Sequence, residues 1–292
     1  MGRTTRRSLL AAFGAAAVVA PLGIGRAAAA APSAAADGPT VLADPGALLA
    51  DRATDLITNL DQIGWPAESA YNFYSATGAP TTIVFGTSGQ PTTYRNETRC
   101  ATFVRRLLTH AFPTWATTSY FTAEFGTSFP NSAIFHDRFE ADRQGTDDLP
   151  NFLGFSLNFG YSFNLRPGDI MAIKYVDAPS TDSGHMAIVG SGSHLFNDAN
   201  PAYREWAIRV IDSTSSAHGN PDNPLGYPDT RFYQDPADNI WKEATGAGMG
   251  WMFVRTDRAT GALISHRWSR NSSTWYGVDT RPVALGRLNL LH

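Results

Sequence analysis

From residue 45 onward the hydrophobic positions follow first a helical and later a strand-like spacing. Leu49, Ala53, Leu56, Ile57 and Leu60 recur on one helical face, and Asp44-Pro45 ahead of them offers an N-cap and a first helical residue. This predicts a helix over 45–62. A second stripe, Phe103, Val104, Leu107, Leu108 and Ala111, predicts a helix over 98–112, capped by Thr98 or Asn96 and closed before Pro113. Cys100 extends that stripe into the first turn, facing inward. Residues 65–94 read as loops with one short strand at Thr82-Ile83-Val84-Phe85. Residues 113–165 read as aromatic and loop-like, with a solvated charged stretch around His136, Asp137, Arg138, Glu140 and Asp142. After residue 166 the texture changes. Apolar, β-branched or aromatic runs at 168–176, 185–190, 206–213, 250–255, 262–268 and 282–288 are bounded by turn residues and predict strands. Helices followed by an antiparallel sheet make an α+β class. A Pro/Asp/Gly-rich stretch from 213 to 240 is too long for a tight turn and predicts either a functional lid or a disordered loop, while Gly246 to Gly250 reads as a turn.

The first 36 residues stand apart from this pattern. Thr5-Arg6-Arg7-Ser8-Leu9-Leu10 resembles a twin-arginine export signal, followed by a short apolar run and an Ala-rich tail with several A-x-A cleavage options. The expectation is a signal over 1–36, removed on export to the cell envelope or medium, and one domain over 37–292. That signal holds four Arg and no acid, so its loss takes the net charge from −3 to −7. An acidic chain without a Lys/Arg block beyond the signal lacks the electrostatic footprint of a nucleic-acid binder and of a polybasic membrane patch. Neither nucleic acid nor stable membrane insertion is expected. Lys174 and Lys242 are the only lysines among 23 basic residues, which suggests a GC-rich, actinobacterial source.

Cysteine use narrows the chemistry. The chain has a single cysteine, so no intramolecular disulfide can form. A lone thiol in an oxidising compartment is either buried and inert or kept for its reactivity.

Two strand runs decide between these. If 185–190 and 206–213 pair as antiparallel neighbours, joined by a loop with Gly192, Asn197 and Pro201, the start of the first lies beside the end of the second, and His185 meets Asp212. Alternation puts Trp206, Ile208, Val210 and Asp212 on one face, so an acid ends an apolar row and needs a partner. Cys100 at a helix amino terminus, with an imidazole near it, is placed to be a thiolate. The three residues can serve as nucleophile, base and orienting acid. The Cys100 backbone N–H is a candidate oxyanion donor, with Tyr94, Asn96 and His218 as candidate oxyanion or substrate contacts.

The order of these elements resembles the NlpC and CHAP cell-wall amidases of the papain-like clan. It comprises a helix-borne Cys100, then Gly-Asp-Ile-Met-Ala-Ile (168–173), Ser-Gly-His-Met-Ala-Ile-Val (183–189) and a strand ending in an acid. The resemblance covers roughly 94–214. It implies helices packed on an antiparallel sheet or partly open barrel, and amide hydrolysis through a thioester acyl-enzyme with Cys100, His185 and Asp212 as triad. It further implies a peptide or related amide substrate such as peptidoglycan, and no cofactor or metal. Arg99-Cys100-Ala101-Thr102 departs from the Asp-Cys-Ser-Gly usual in that clan, and the spacing from His185 to Asp212 exceeds its usual short hairpin. Two other functions use the same observations: a transglutaminase-like acyl transferase, and a noncatalytic cell-envelope binding module built on the aromatic content. The chain has no Gly-x-Ser-x-Gly, H-E-x-x-H, C-x-x-C, Walker or G-x-G-x-x-G motif.

Overall fold

The computed structural model describes residues 44–75, 81–156, 165–178, 182–219 and 226–290. The segment expected to direct export lies outside the described residues. Four helices are found among them: α1 (Pro45–Asp61), α2 (Cys100–Ala111), α3 (Thr118–Phe125) and α4 (Ser132–Arg143). The strands in chain order are β1 (Asn72–Tyr74), β2 (Thr82–Val84), β3 (Arg95–Thr98), β4 (Phe152–Phe155), β5 (Ile170–Lys174), β6 (Gly184–Asn197) and β7 (Tyr203–Thr214). They continue with β8 (Phe232–Gln234), β9 (Trp241–Glu243), β10 (Gly246–Asp257), β11 (Leu263–Arg267), β12 (Tyr276–Gly277) and β13 (Val283–Leu288). The class is α+β.

The main sheet has eight strands in the order β12-β11-β10-β7-β6-β5-β13-β4, every neighbouring pair antiparallel. Its alternation divides the core. Ile170, Ala172, Met186, Ile188, Ile211 and Ala247 pack against helix residues such as Leu56, Phe103, Leu107 and Phe139. Met171, Ile173, Ala187, Val189, Ile208, Val210, Met252 and Val254 form a second cluster on the other face. A small three-stranded sheet, β1-β3-β2, lies ahead of α2, with β1 parallel to β3 and β2 antiparallel to it.

Several expectations need correction. The α2 helix opens at Cys100 with Arg99 as an N-cap that makes no side-chain bond, because Asn96 and Thr98 are consumed as residues of β3. Within 113–165 the chain forms two helices, where loops are expected. Thr117 accepts from Tyr120 N and Asn131 from Ile134 N, and Phe135 and Phe139 of α4 are fully buried beneath the charged residues that dominate the pattern. His136, read as part of a solvated face, is only 8% exposed. Gly192 and Asn197 lie within β6, since β6 and β7 form a longer ribbon than expected, with register shifts after Val189. Gly246 to Gly250 is the first part of β10, not a turn.

Candidate functional site

The α2 amino terminus and the start of β6 meet at one point. Cys100, 6% exposed, lies with its Sγ 3.8 Å from the Gly184 carbonyl oxygen, and the residue after Gly184 is His185. In the β6–β7 ladder Ile188 pairs with Ile211. Continuing that register sets Asp212 opposite Ala187, which makes His185 its diagonal neighbour on the same face. The contact is short: His185 Nε2 lies 2.6 Å from Asp212 Oδ2. That leaves Nδ1 as the ring nitrogen free to serve the thiol. The cleft beside Cys100 has a volume of about 170 Å³, and Tyr74, Arg99, Phe129, Asn131, Asp182 and Gly184 contribute to its wall.

Asp212 is fully buried and receives more than one partner. His218 Nε2 is 2.6 Å from the same Oδ2, and Arg231 donates from Nη1 to Oδ1 at 2.9 Å. Arg231, also fully buried, is held by Asp229 through Nε to Oδ1 at 2.8 Å and Nη2 to Oδ2 at 2.6 Å. This bidentate pairing fixes the plane of the guanidinium. Trp268 covers both imidazoles, stacking on His218 at 4.6 Å between centroids and meeting His185 edge-on at 4.8 Å.

These contacts set the charges. Burial alone would raise the Asp212 carboxyl, but His218, Arg231 and His185 outweigh it and hold the group well below its ordinary value. Burial would lower His185, yet the Cys100 thiolate and Asp212 push it up to about 10. Burial would raise the Cys100 thiol. The positive imidazole and the amides of Met186 and Ala101 overcome that and lower it. Burial aside, these influences all act in one direction, favouring a thiolate beside an imidazolium backed by a carboxylate over the neutral pair.

Of the other residues singled out from sequence, Tyr94 is buried with its hydroxyl 3.3 Å from Asp55 Oδ2. Asn96 donates to Asn72 Oδ1 at 3.0 Å and to Ser213 Oγ at 3.4 Å. Neither lines the cleft. His218 is not a cleft residue either, since it stands behind the acid. Tyr74 is a cleft hydroxyl that sequence reasoning missed, beside those of Thr102, Ser132 and Ser183, and its phenol is raised to about 12 by burial and then by the Cys100 charge beside it. No sequence signal singles it out, because β1 is brought to the site by its parallel pairing with β3 and by the bonds of Asn72 to Ala247 of β10, which no local pattern states.

The ligand atoms of His185, Asp212 and His218 all lie within 4.8 Å of one another, the one such group among the described residues that could offer three donors to a metal ion. A tetrahedral zinc with bonds of about 2.0–2.1 Å holds neighbouring donors roughly 3.3 Å apart. Here both nitrogens stand 2.6 Å from one carboxylate oxygen, and Arg231 already supplies a cation to that carboxylate. The arrangement is one of hydrogen bonds. Among the described residues no helix is long and apolar enough to cross a membrane. Comparison with family models, curated proteins and solved structures returned no match.

Proposed function

We propose that the protein is an exported cysteine hydrolase of the papain-like kind that cleaves an amide bond through Cys100, His185 and Asp212. The observation that carries this reading is the 2.6 Å contact of His185 with Asp212, on a ring whose other nitrogen serves a thiol at a helix amino terminus. A helix-borne cysteine packed on an antiparallel sheet also suits the clan that the motif order resembles.

In this reading the thiolate attacks the substrate carbonyl carbon and the carbonyl electrons move to oxygen. The oxyanion is met by the backbone N–H of the first α2 turn, with the Tyr74 hydroxyl across the cleft as a second donor. The His185 imidazolium gives its Nδ1 proton to the departing amine as the C–N bond breaks, leaving a thioester. Water, deprotonated by the now neutral ring, attacks the thioester, and the sulfur leaves as thiolate while His185 regains its proton. Asp212 keeps the ring oriented and steadies its positive charge.

The test uses the protein and its Cys100→Ala variant with peptidoglycan fragments, and new amines are identified by mass spectrometry. Amine release that depends on Cys100 is expected. Release by both proteins removes Cys100 as the nucleophile, and release by neither while Cys100 resists iodoacetamide in the folded state removes the reading in favour of a binding module. Transfer of the acyl group to an added amine in place of water identifies an acyl transferase.

A further inference from the structure

We propose that His218 is a positioning residue of this site: by donating to the same Asp212 oxygen that receives His185, with Arg231 on the other oxygen, it locks the carboxylate in the rotation that keeps His185 turned toward Cys100. This rests on the reading of Cys100, His185 and Asp212 given above. The hydrogen bonds themselves fix the direction of donation. An ionised carboxylate has no hydrogen to give, so each Nε2 at 2.6 Å from Oδ2 must carry one. His218 therefore carries a hydrogen on Nε2. Its Nδ1 is buried without a partner among the described residues, so a hydrogen placed there would meet no acceptor.

The surroundings are arranged to hold this ring in place. The His218 backbone N–H donates to Asp229 Oδ2 at 2.7 Å, the same carboxylate that clamps Arg231. Both lie between β7 and β10, in the described stretches 215–219 and 226–245, whose His218 and Arg231 reach Asp212. The glycines at the start of β10 make room for them. A Cβ on Gly250 would sit 2.2 Å from Asp229 Oδ2 and 2.8 Å from the His218 carbonyl oxygen, and one on Gly248 would sit 2.7 Å from Arg231 Nε. The glycine-rich run thus has a packing role. Side chains there would drive these stretches off the acid.

A carboxylate held by one imidazole alone can rotate about its Cα–Cβ and Cβ–Cγ bonds and carry the ring with it. Arg231 on Oδ1 and His218 on Oδ2 hold both oxygens independently of His185, so the acid cannot turn with that ring, and the alternative in which the two swing together away from sulfur is lost. The charged and titratable groups facing Asp212 are His185 from β6, and His218, Asp229 and Arg231 from the stretches between β7 and β10. Asp61 of α1 adds its field to that of Asp229 and Arg231.

The test compares His218→Phe, which keeps a ring over Trp268 but removes the donor, with His218→Gln, whose amide can donate to Asp212. The readout is the rate of Cys100 alkylation by iodoacetamide from pH 5 to 9, which needs no knowledge of the substrate. His218→Phe is expected to move the alkylation profile to higher pH and to slow the reaction at pH 6 at least tenfold. His218→Gln should recover most of the loss. A folded His218→Phe with the wild-type profile overturns the proposal. If His218→Phe does not fold, the decision passes to the imidazole ¹⁵N resonances of the wild-type protein. A hydrogen on Nε2 of His218 supports the proposal, and one on Nδ1 alone overturns it. A wild-type profile that follows an ordinary thiol titration would instead remove the hydrolase reading, while the ¹⁵N measurement still reports on His218 and Asp212.

Discussion

Ser213 donates its hydroxyl to the backbone carbonyl of Thr98 at 2.8 Å, and this one bond joins the residue after Asp212 to the residue two before Cys100. The strand that carries the acid and the helix that carries the thiol are tied at their ends. Ser213 is fully buried and also accepts from Asn96. Ser213→Ala removes one hydrogen bond from each of two buried groups that keep another partner, the Thr98 carbonyl with Ser75 N and Asn96 Nδ2 with Asn72, at a cost of about 0.5–1.5 kcal/mol. A lowered thermal midpoint together with slower Cys100 alkylation is expected. A lowered midpoint with unchanged alkylation would show that the tie serves stability alone.

Asp212→Asn is a harsher change than its size suggests. An Asn side chain presents one acceptor and one NH₂, whereas the site offers two imidazole donors on one side and the Arg231 guanidinium on the other. One side must face donor to donor. Removal of one partner from a buried charge pair costs about 3–5 kcal/mol. The variant should unfold at clearly lower denaturant concentration than wild type and lose low-pH alkylation of Cys100. Equal midpoints in urea would contradict the pairing described for Arg231.

Cys100→Ala should lower the titration of His185, since the thiolate is the largest of the influences that raise it. In the wild-type protein the ring titrates near 10 when folded, against its ordinary 6.5 when unfolded. A group raised in this way contributes stability that is fully present below 6.5 and is lost as pH rises through about 10. The variant should lose this contribution at lower pH. Ring-proton NMR titration of both proteins measures it, and an unmoved His185 would show that sulfur and ring are not neighbours in solution.

Glu68 offers a pH dependence of the opposite charge type. It is fully buried, one oxygen accepts from Asn72 at 2.7 Å and the other has no partner among the described residues, and burial pushes the carboxyl up to about 8. The folded protein thus keeps a proton that the unfolded chain releases above its ordinary 4.5. Stability from this group falls as pH rises from 4.5 to about 8, by at most about 1.4 kcal/mol per pH unit. Glu68→Gln should flatten that slope and raise the denaturation midpoint at pH 8 relative to wild type. A wild-type slope in the variant would place the titration elsewhere.

Where local rules suffice, the fold is legible in the sequence. Asp44 caps α1 by accepting from Gly46 N at 2.9 Å, as its type and position imply, and the α2 stripe and the alternation of β5, β6 and β7 read directly from residue spacing. The neighbourhood of His185 and Asp212 follows from antiparallel pairing. Helix α4 is hidden because Arg138, Glu140 and Asp142 obscure a stripe carried by Phe135 and Phe139, and α3 because its eight residues bury only Phe121 and Phe125, too few to set a period. Asn96 and Tyr94 lie close to Cys100 in sequence but turn into the core, a matter of β3 pairing that no local pattern states. Arg231 is the least legible of all, since nothing in a Pro/Asp/Gly-rich loop announces that its cation neutralises an acid 19 residues earlier.

The solitary sulfhydryl has a practical meaning that reaches past its chemistry. Since the chain holds one cysteine, any thiol-directed reagent labels a single address, and that address is the bottom of the cleft. A mass shift on the intact protein therefore counts molecules whose Cys100 is free and reachable, without a substrate or a correction for background sites. The protein carries its own titrant-binding tag, and every preparation can be calibrated by the fraction it modifies.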